Sequence, residues 1–509
     1  MKINKIAIVG GGTAGWLVAN HLGKALNGDA SASITLIESP DIPTIGVGEG
    51  TVPMMRDTLQ HFGISEAEFI SECDATFKQS IKFENWLDKS KHGTDNFFHH
   101  LFDYPFPMGE DLTPYWLSKN YPSSFSHTVS FQEAVCEHNL APKFITDSEY
   151  AGQTTYAYHL DAKKFAKLLG KNATKRFDVE HIVCNVTDVH LNQTGGIKSL
   201  ETDVFGEREF DFYIDCTGFS SYLLGKKLGV KFIKQSEKLL VDKAITVQVP
   251  TESDEVIKPY TRAIAHKAGW IWDIPLPHRR GVGFVYASDY MSDDEAHKKL
   301  CAYVGPDIAS LATRVIPMKI GYREKFWQDN CVAIGLSQGF VEPLEATSIL
   351  VTDFCAQQLA ERFPRDRELL PSLAKTFNDN VSYAWAKVVD FIQLHYFLSD
   401  RVDSDFWLAV KNEESLSEDL KSKLLRWKYF SPKSIDFNSK FEVFDIENYL
   451  YILYGMKFRT TSEQNSNLDV EAMSEIEDKV KGHAQYLCKE LSEQRVLLDK
   501  IKRYGLSKV

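Results

Sequence analysis

The chain has 509 residues, enough to bury a large core and more than one minimal domain requires. Its 70 Asp and Glu against 58 Lys and Arg leave a formal net charge of -12, which excludes the basic surface that nucleic-acid binders need. No run of about 18 apolar residues occurs, which removes the membrane-span reading, and the eight cysteines are scattered without a CxxC pair, which indicates neither a zinc site nor a disulfide framework and points to a reducing cytoplasm.

In chain order, Ile3 to Val9 is a largely apolar run that predicts a buried strand and not a cleaved signal. Gly10-Gly11-Gly12-Thr13-Ala14-Gly15 predicts a tight turn, Trp16 to Leu26 has helical apolar spacing, and Ile34 to Ile37 predicts a second strand ending at Glu38. This order is the context a dinucleotide fingerprint requires. Gly10 turns the chain, Gly12 admits a pyrophosphate to backbone amides, Gly15 packs helix on sheet, and Glu38 accepts from a ribose hydroxyl. A flavin or nicotinamide nucleotide and an α/β, Rossmann-like fold follow.

Further on, Phe212 to Gly218 reads as an apolar strand breaking into a small-residue turn, and Asn330 to Gly335 repeats that theme. Such late strands return to the nucleotide domain, so cofactor and substrate segments interleave. Lys243 to Gln248 and Gly281 to Tyr286 alternate like half-exposed antiparallel strands. Between them, Trp270-Ile271-Trp272-Asp273-Ile274-Pro275 puts two indole rings on one strand face ahead of a stiffening proline. Taken alone, the pair is an aromatic wall or ordinary core packing. From about Ser348 helical patterning dominates, with an aromatic-dense region from Tyr383 to Tyr396. The last segment carries a one-sided apolar stripe, Ile476, Val480, Leu487, Leu491, Leu498 and Ile501, expected to pack on the core. The expected organisation is a nucleotide-binding and catalytic module over 1–350 and a mainly helical part over 351–509 packed on it.

Several motifs stand in order along the chain: Gly10 to Trp16, Gly46-Val47-Gly48-Glu49-Gly50-Thr51, Phe77-Lys78 with Ile81-Lys82-Phe83, Tyr158 to Ala162, Asp215 to Phe219, Trp270 to Pro275, and Glu342-Pro343-Leu344-Glu345-Ala346-Thr347. Through them the chain resembles the flavin-dependent halogenases of the tryptophan halogenase group. The resemblance implies a flavoprotein-monooxygenase architecture with an interleaved antiparallel sheet and a helical C-terminal substrate lid. It implies hypohalous acid made from reduced FAD, O₂ and chloride or bromide, then electrophilic halogenation of tryptophan, indole or a related ring. FADH2 would come from a separate flavin reductase, and the protein would be a monomer or homodimer.

Carried over residue by residue, the resemblance places FAD against Gly10, Gly12, Thr13, Ala14, Gly15, Glu38, Gly48, Glu49, Val186, Asp215, Gly218, Leu336 and Ile349. Lys78 is the implied catalytic lysine; apolar neighbours and the second ammonium of Lys82 would favour its neutral form. On residues alone, both lysines are more often solvated charges on a strand or helix face, and only the resemblance makes Lys78 the catalyst. Glu345 is the implied acidic partner, with a structural reading as a helix N-terminal carboxylate. Thr347 and Ser348 would bind halide through backbone amides, although the family commonly has glycine where this chain has Ser348. Trp270 and Trp272 would separate the aromatic substrate from the flavin, with Pro343 beside them, while His100 and Phe102 would clamp its ring. A single-component aromatic hydroxylase and a non-catalytic flavin carrier are the competing readings.

Overall fold

A computed structural model describes residues 2–42, 48–93, 96–119, 124–461 and 468–508; Gly46 and Val47 of the second motif lie outside the described residues. Strand Lys5–Val9, with four of its five residues buried, forms the centre of a six-stranded sheet. It pairs in parallel with Phe212–Asp215 on one side and Ser33–Glu38 on the other, placing Ile8 opposite Ile214 and Leu36. Glu180–Val183 and Cys331–Ala333 extend the sheet in parallel, and Trp327–Gln328 closes one edge antiparallel. The expected strands at Ile34, Phe212 and Cys331 thus lie side by side although nearly 300 residues separate the first from the last. Helix Thr13–Ala25 packs between Ala162–Arg176 and Thr347–Glu361.

A seven-stranded sheet runs in the order Arg314–Pro317, Lys243–Pro250, Arg279–Tyr286, Gly269–Pro275, Tyr260–His266, Ser80–Glu84 and Phe97–Leu101. Here the sequence reading needs correction: Gly281 to Tyr286 are buried throughout, not half-exposed. Helix Asp293–Val304 packs on that strand and its neighbour, and farther across the sheet Trp86, in the loop after Ser80–Glu84, and Trp407, on helix Asp405–Ala409, donate indole hydrogens to the carbonyls of Ala263 and His266. Both faces are therefore covered, which removes the polar side an alternating strand would show.

One stretch links two sheets. Thr76–Lys78 belongs to a three-stranded sheet with Ala157–Leu160 and Glu49–Gly50, whereas Ser80–Glu84, one residue later, enters the large sheet. Lys78 stands at the crossing, pinned by its pairing with Ala157.

The C-terminal part is helical, and its longest element, Leu370–Leu398, has 29 residues. The boundary expected between 350 and 351 falls inside helix Thr347–Glu361, so both parts share that helix. The terminal stripe is split between Val470–Glu490 and Gln494–Tyr504; it buries Val480 and Leu487 in the first helix and Leu498 and Ile501 in the second. Among the described residues, no helix is long and apolar enough to cross a membrane.

Candidate active site

A cavity of about 420 Å³ opens at the C-terminal ends of the parallel strands. Gly10, Gly12, Thr13, Ala14, Glu38, Glu49, Val186, Gly218, Leu336 and Ile349 line it, as does Ser348. Gly10 holds φ at +122°, and a Cβ there would fall 2.2 Å from the Cys216 carbonyl oxygen, so only glycine fits. Helix Thr13–Ala25 starts at Gly12 with no side-chain cap and no acidic residue in its first turn. Its first amides are left for a ligand, and their positive potential suits a pyrophosphate. The Glu38 carboxylate accepts from His181 Nε2 at 2.8 Å at the far rim. These features fit a dinucleotide.

Three expected cofactor residues do not line the cavity. Gly15 packs the helix on the Gly10 carbonyl, and Gly48 lies beside Ile274 and Gly281. The buried Asp215 carboxylate accepts from Thr217 N and Oγ1, Ser221 Oγ, and the amides of Leu223 and Leu224. It braces the turn that presents Thr217 and Gly218 to the cavity.

Next to Ser348 is a much smaller cavity, with room for about one water-sized particle. Thr347 and Ser348 both line it, and Ser348 faces the large cavity too. The Thr347 Oγ1 is buried without a partner. An unsatisfied buried hydroxyl costs about 1–3 kcal/mol, so this atom is positioned for a ligand. The turn Pro343–Glu345 leads into helix Thr347–Glu361 through Ala346, whose left-handed backbone (φ 55°) turns the chain sharply between Glu345 and the Thr347 site.

Lys78 is 1% exposed, and its Nζ donates to the Thr51 carbonyl at 3.2 Å and lies 5.2 Å from the Phe102 ring centre. Burial pushes its pKa down to about 8, against the opposing pull of the Glu345 charge. Lys82 has no part in this, contrary to expectation: it turns away to ion-pair with Glu137 at 2.7 Å. A buried ammonium with a single acceptor is poorly satisfied, whereas an amine donating once and keeping a lone pair is well suited to the site.

Glu345 is 2% exposed. His100 Nδ1 lies 3.0 Å from both its oxygens and His395 Nε2 lies 2.8 Å from Oε1. Burial alone would raise its pKa, but the two histidines outweigh that and hold it at about 2. His100 stands on strand Phe97–Leu101 with Tyr451 and Phe391 rings 6.0 and 6.2 Å away, so the expected clamp residue also grips the carboxylate.

Three residues before Glu345, Glu342 Oε2 accepts from Trp270 Nε1 and Tyr396 OH, each at 2.6 Å, while Oε1 has no partner. Burial raises this carboxyl to about 7. Trp272 packs its ring on Gly283, where any Cβ would collide at 2.1 Å, and its Nε1 is unpartnered. Neither tryptophan lines the large cavity; Trp270 is tied to Glu342 at the start of the turn, and the two ring centres lie 6.2 Å apart.

The sequence profile of the Tryptophan halogenase family matches residues 5–471. The chain belongs to the tryptophan halogenase family. It is 36% identical to the tryptophan 6-halogenase SttH of Streptomyces toxytricini over 475 residues, covering 89% of each chain. The crystal structure of the tryptophan halogenase from Shewanella frigidimarina NCIMB 400 superposes with a TM-score of 0.96 at 38% identity, covering 100% of this chain and 99% of that one. BrvH, a flavin-dependent halogenase from Brevundimonas sp. BAL3, superposes at 0.88 with 30% identity, covering 98% and 99%. The protein is accordingly a flavin-dependent halogenase, an oxidoreductase.

Some residues of this halogenase site escaped the sequence reading. His395 and Tyr396 lie within the aromatic-dense region, but nothing local marks their grip on Glu345 and Glu342 some 50 residues earlier. Asn448, which accepts from His100 Nε2 at 3.1 Å, and the Thr51 carbonyl that anchors Lys78 carry no signal of their own. Glu342, by contrast, stood within a quoted motif.

Proposed function

We propose that this halogenase binds FAD, delivered reduced by a separate flavin reductase, in the glycine-lined cavity, takes chloride or bromide at Thr347 and Ser348, and halogenates an indole-type ring at Lys78 and Glu345. When bound, the flavin supplies the oxidation of halide to the hypohalous level. The Lys78 amine receives hypohalous acid at Nζ, and the Phe102 ring beside it walls the chamber. Glu345 accepts the proton the ring loses on regaining aromaticity. Trp270, fixed by Glu342, and Trp272 keep the aromatic substrate from the nucleotide cavity, while His100, Phe102 and Tyr451 face its ring. The substrate is tryptophan, as in the names of the relatives, or indole or another indole derivative. Eight free thiols suit a reducing compartment such as the cytoplasm.

The observation that carries this reading is Lys78: a sequestered amine with one partner, across from a carboxylate held low. The hydroxylase reading leaves that amine without a task. The test supplies FAD, an unrelated flavin reductase, NADH and bromide with a panel of indoles, and reads products by mass spectrometry. Lys78→Ala should abolish halogenated product while flavin oxidation continues; product formed at the wild-type rate would remove Lys78 from its role.

A further inference from the structure

The acid–base unit beside Lys78 is larger than one carboxylate, and its hydrogen bonds can be counted. His100 Nε2 faces Asn448 Oδ1 at 3.1 Å. The Asn448 amide nitrogen is committed to Glu447 Oε1 at 3.0 Å and the Asp445 carbonyl at 3.5 Å, which leaves its oxygen for the histidine. His395 Nδ1 faces the Phe391 carbonyl at 2.8 Å. Amide and carbonyl oxygens only accept, so these two ring nitrogens carry hydrogen. The other two, His100 Nδ1 and His395 Nε2, both face the Glu345 carboxylate, at 3.0 and 2.8 Å.

Each of those contacts needs one more proton, because otherwise lone pairs oppose one another at hydrogen-bond distance. Two neutral imidazoles bring two hydrogens, and the geometry asks for four. Against one carboxylate charge, the filled cluster bears one net positive charge. All of it is secluded: the side chains of His100, Glu345 and His395 are 3%, 2% and 0% exposed. Phe83, Trp86 and Phe391 give His395 apolar cover. The other ionisable groups whose charge acts on the cluster are Lys78 from its strand, toward Glu345, and Glu447 from helix Ile446–Gly455, toward His100, while Glu342 at the start of the turn is engaged by Trp270 and Tyr396.

We propose that His100 and His395 hold Glu345 in a four-proton cluster that lends one proton as hypohalous acid is spent and recovers it from the aromatic ring, so that halogenation closes without proton exchange with solvent. This rests on the function proposed above. As the halogen–oxygen bond breaks, its electron pair stays on oxygen; the resulting hydroxide takes the lent proton and leaves as water. The halogen bonds to the ring carbon, whose C–H bond then breaks, returning its electron pair to the ring and its proton to Glu345. Carbon is oxidised by the two electrons that reduce the halogen, and water is the only by-product. His395 never touches substrate and is a positioning residue.

Neutron diffraction from a deuterated crystal of the protein at pH 7 reads the count directly. Deuterium on all four histidine nitrogens is expected; a bare nitrogen facing Glu345 overturns the proposal. His395→Gln supplies the second reading, since its amide still donates to Glu345 but cannot store a proton. Product formation should fall about 100-fold with the indole KM changed less than about threefold, a typical loss for acid–base catalysis. Hypohalite captured by an added chemical trap should persist in that variant. A His395→Gln variant halogenating at the wild-type rate overturns the cluster alone, whereas absence of trapped hypohalite from the wild type overturns the underlying halogenase mechanism.

Discussion

Replacing Lys78 with methionine should make the protein more stable at neutral pH, and the gain should vanish in alkali. Burial lowers the Lys78 pKa from 10.5 to about 8. That difference is worth about 3 kcal/mol against the folded state below pH 8, at 1.36 kcal/mol per unit. The sign follows from proton counts: between pH 8 and 10.5 the folded protein has released this proton and the unfolded chain retains it, so stability climbs with pH across that window. Methionine fills similar space with no charge to bury, but it strands the Thr51 carbonyl, at about 1–2 kcal/mol. The net gain at pH 7 is then about 1–2 kcal/mol, and about 2.5 kcal/mol of the difference between variant and wild type disappears by pH 10. Equilibrium urea unfolding of both proteins at the two pH values reads it. A variant less stable than wild type by the same amount at both values would refute the assignment of Lys78 as a desolvated amine. The same shift leaves about one amine in ten neutral at pH 7, against about one in three thousand for an ordinary lysine, which is why the site can halogenate near neutrality.

Glu342→Gln should gain on the wild type as pH rises from 4.5 to 7, by up to about 3 kcal/mol, because the raised carboxyl stabilises the fold only while it keeps its proton; urea unfolding at pH 5 and pH 8 measures it. Thr347→Val removes the unpartnered hydroxyl of the small cavity and should raise the bromide KM about tenfold, the worth of one hydrogen bond near 1.4 kcal/mol, with FAD affinity unchanged in a fluorescence titration. Gly10→Ala forces a side chain into the Cys216 carbonyl and should abolish FAD binding in that titration.

The nucleotide half was legible because its signals are local. The glycine turn, its flanking strands and the acidic Glu38 lie within 35 residues, and each does one physical job that its residue type announces. Strand positions at Phe212 and Cys331 were likewise readable from apolar runs, and the Gly281 to Tyr286 strand from its alternation, but the full burial of that last strand was not, since it depends on helix Asp293–Val304 arriving from elsewhere. The chemistry was half legible. Lys78 and Glu345 came through the family resemblance, whereas the supposed role of Lys82 failed because a lysine four residues away on an extended chain can turn to another partner, here Glu137. His395 stayed hidden because a histidine among aromatic residues on a helix looks like core until a distant carboxylate is brought to it.

Helix Leu370–Leu398 carries His395 and Tyr396 in succession, one reaching Glu345 and the other Glu342. A slip of this rod along its axis would therefore unseat the proton-handling carboxylate and the brace of Trp270 in a single stroke. Engineers who reshape the substrate chamber through this helix should expect leakage of oxidant to change in step with ring selectivity, whereas edits to strand Phe97–Leu101 leave the brace untouched.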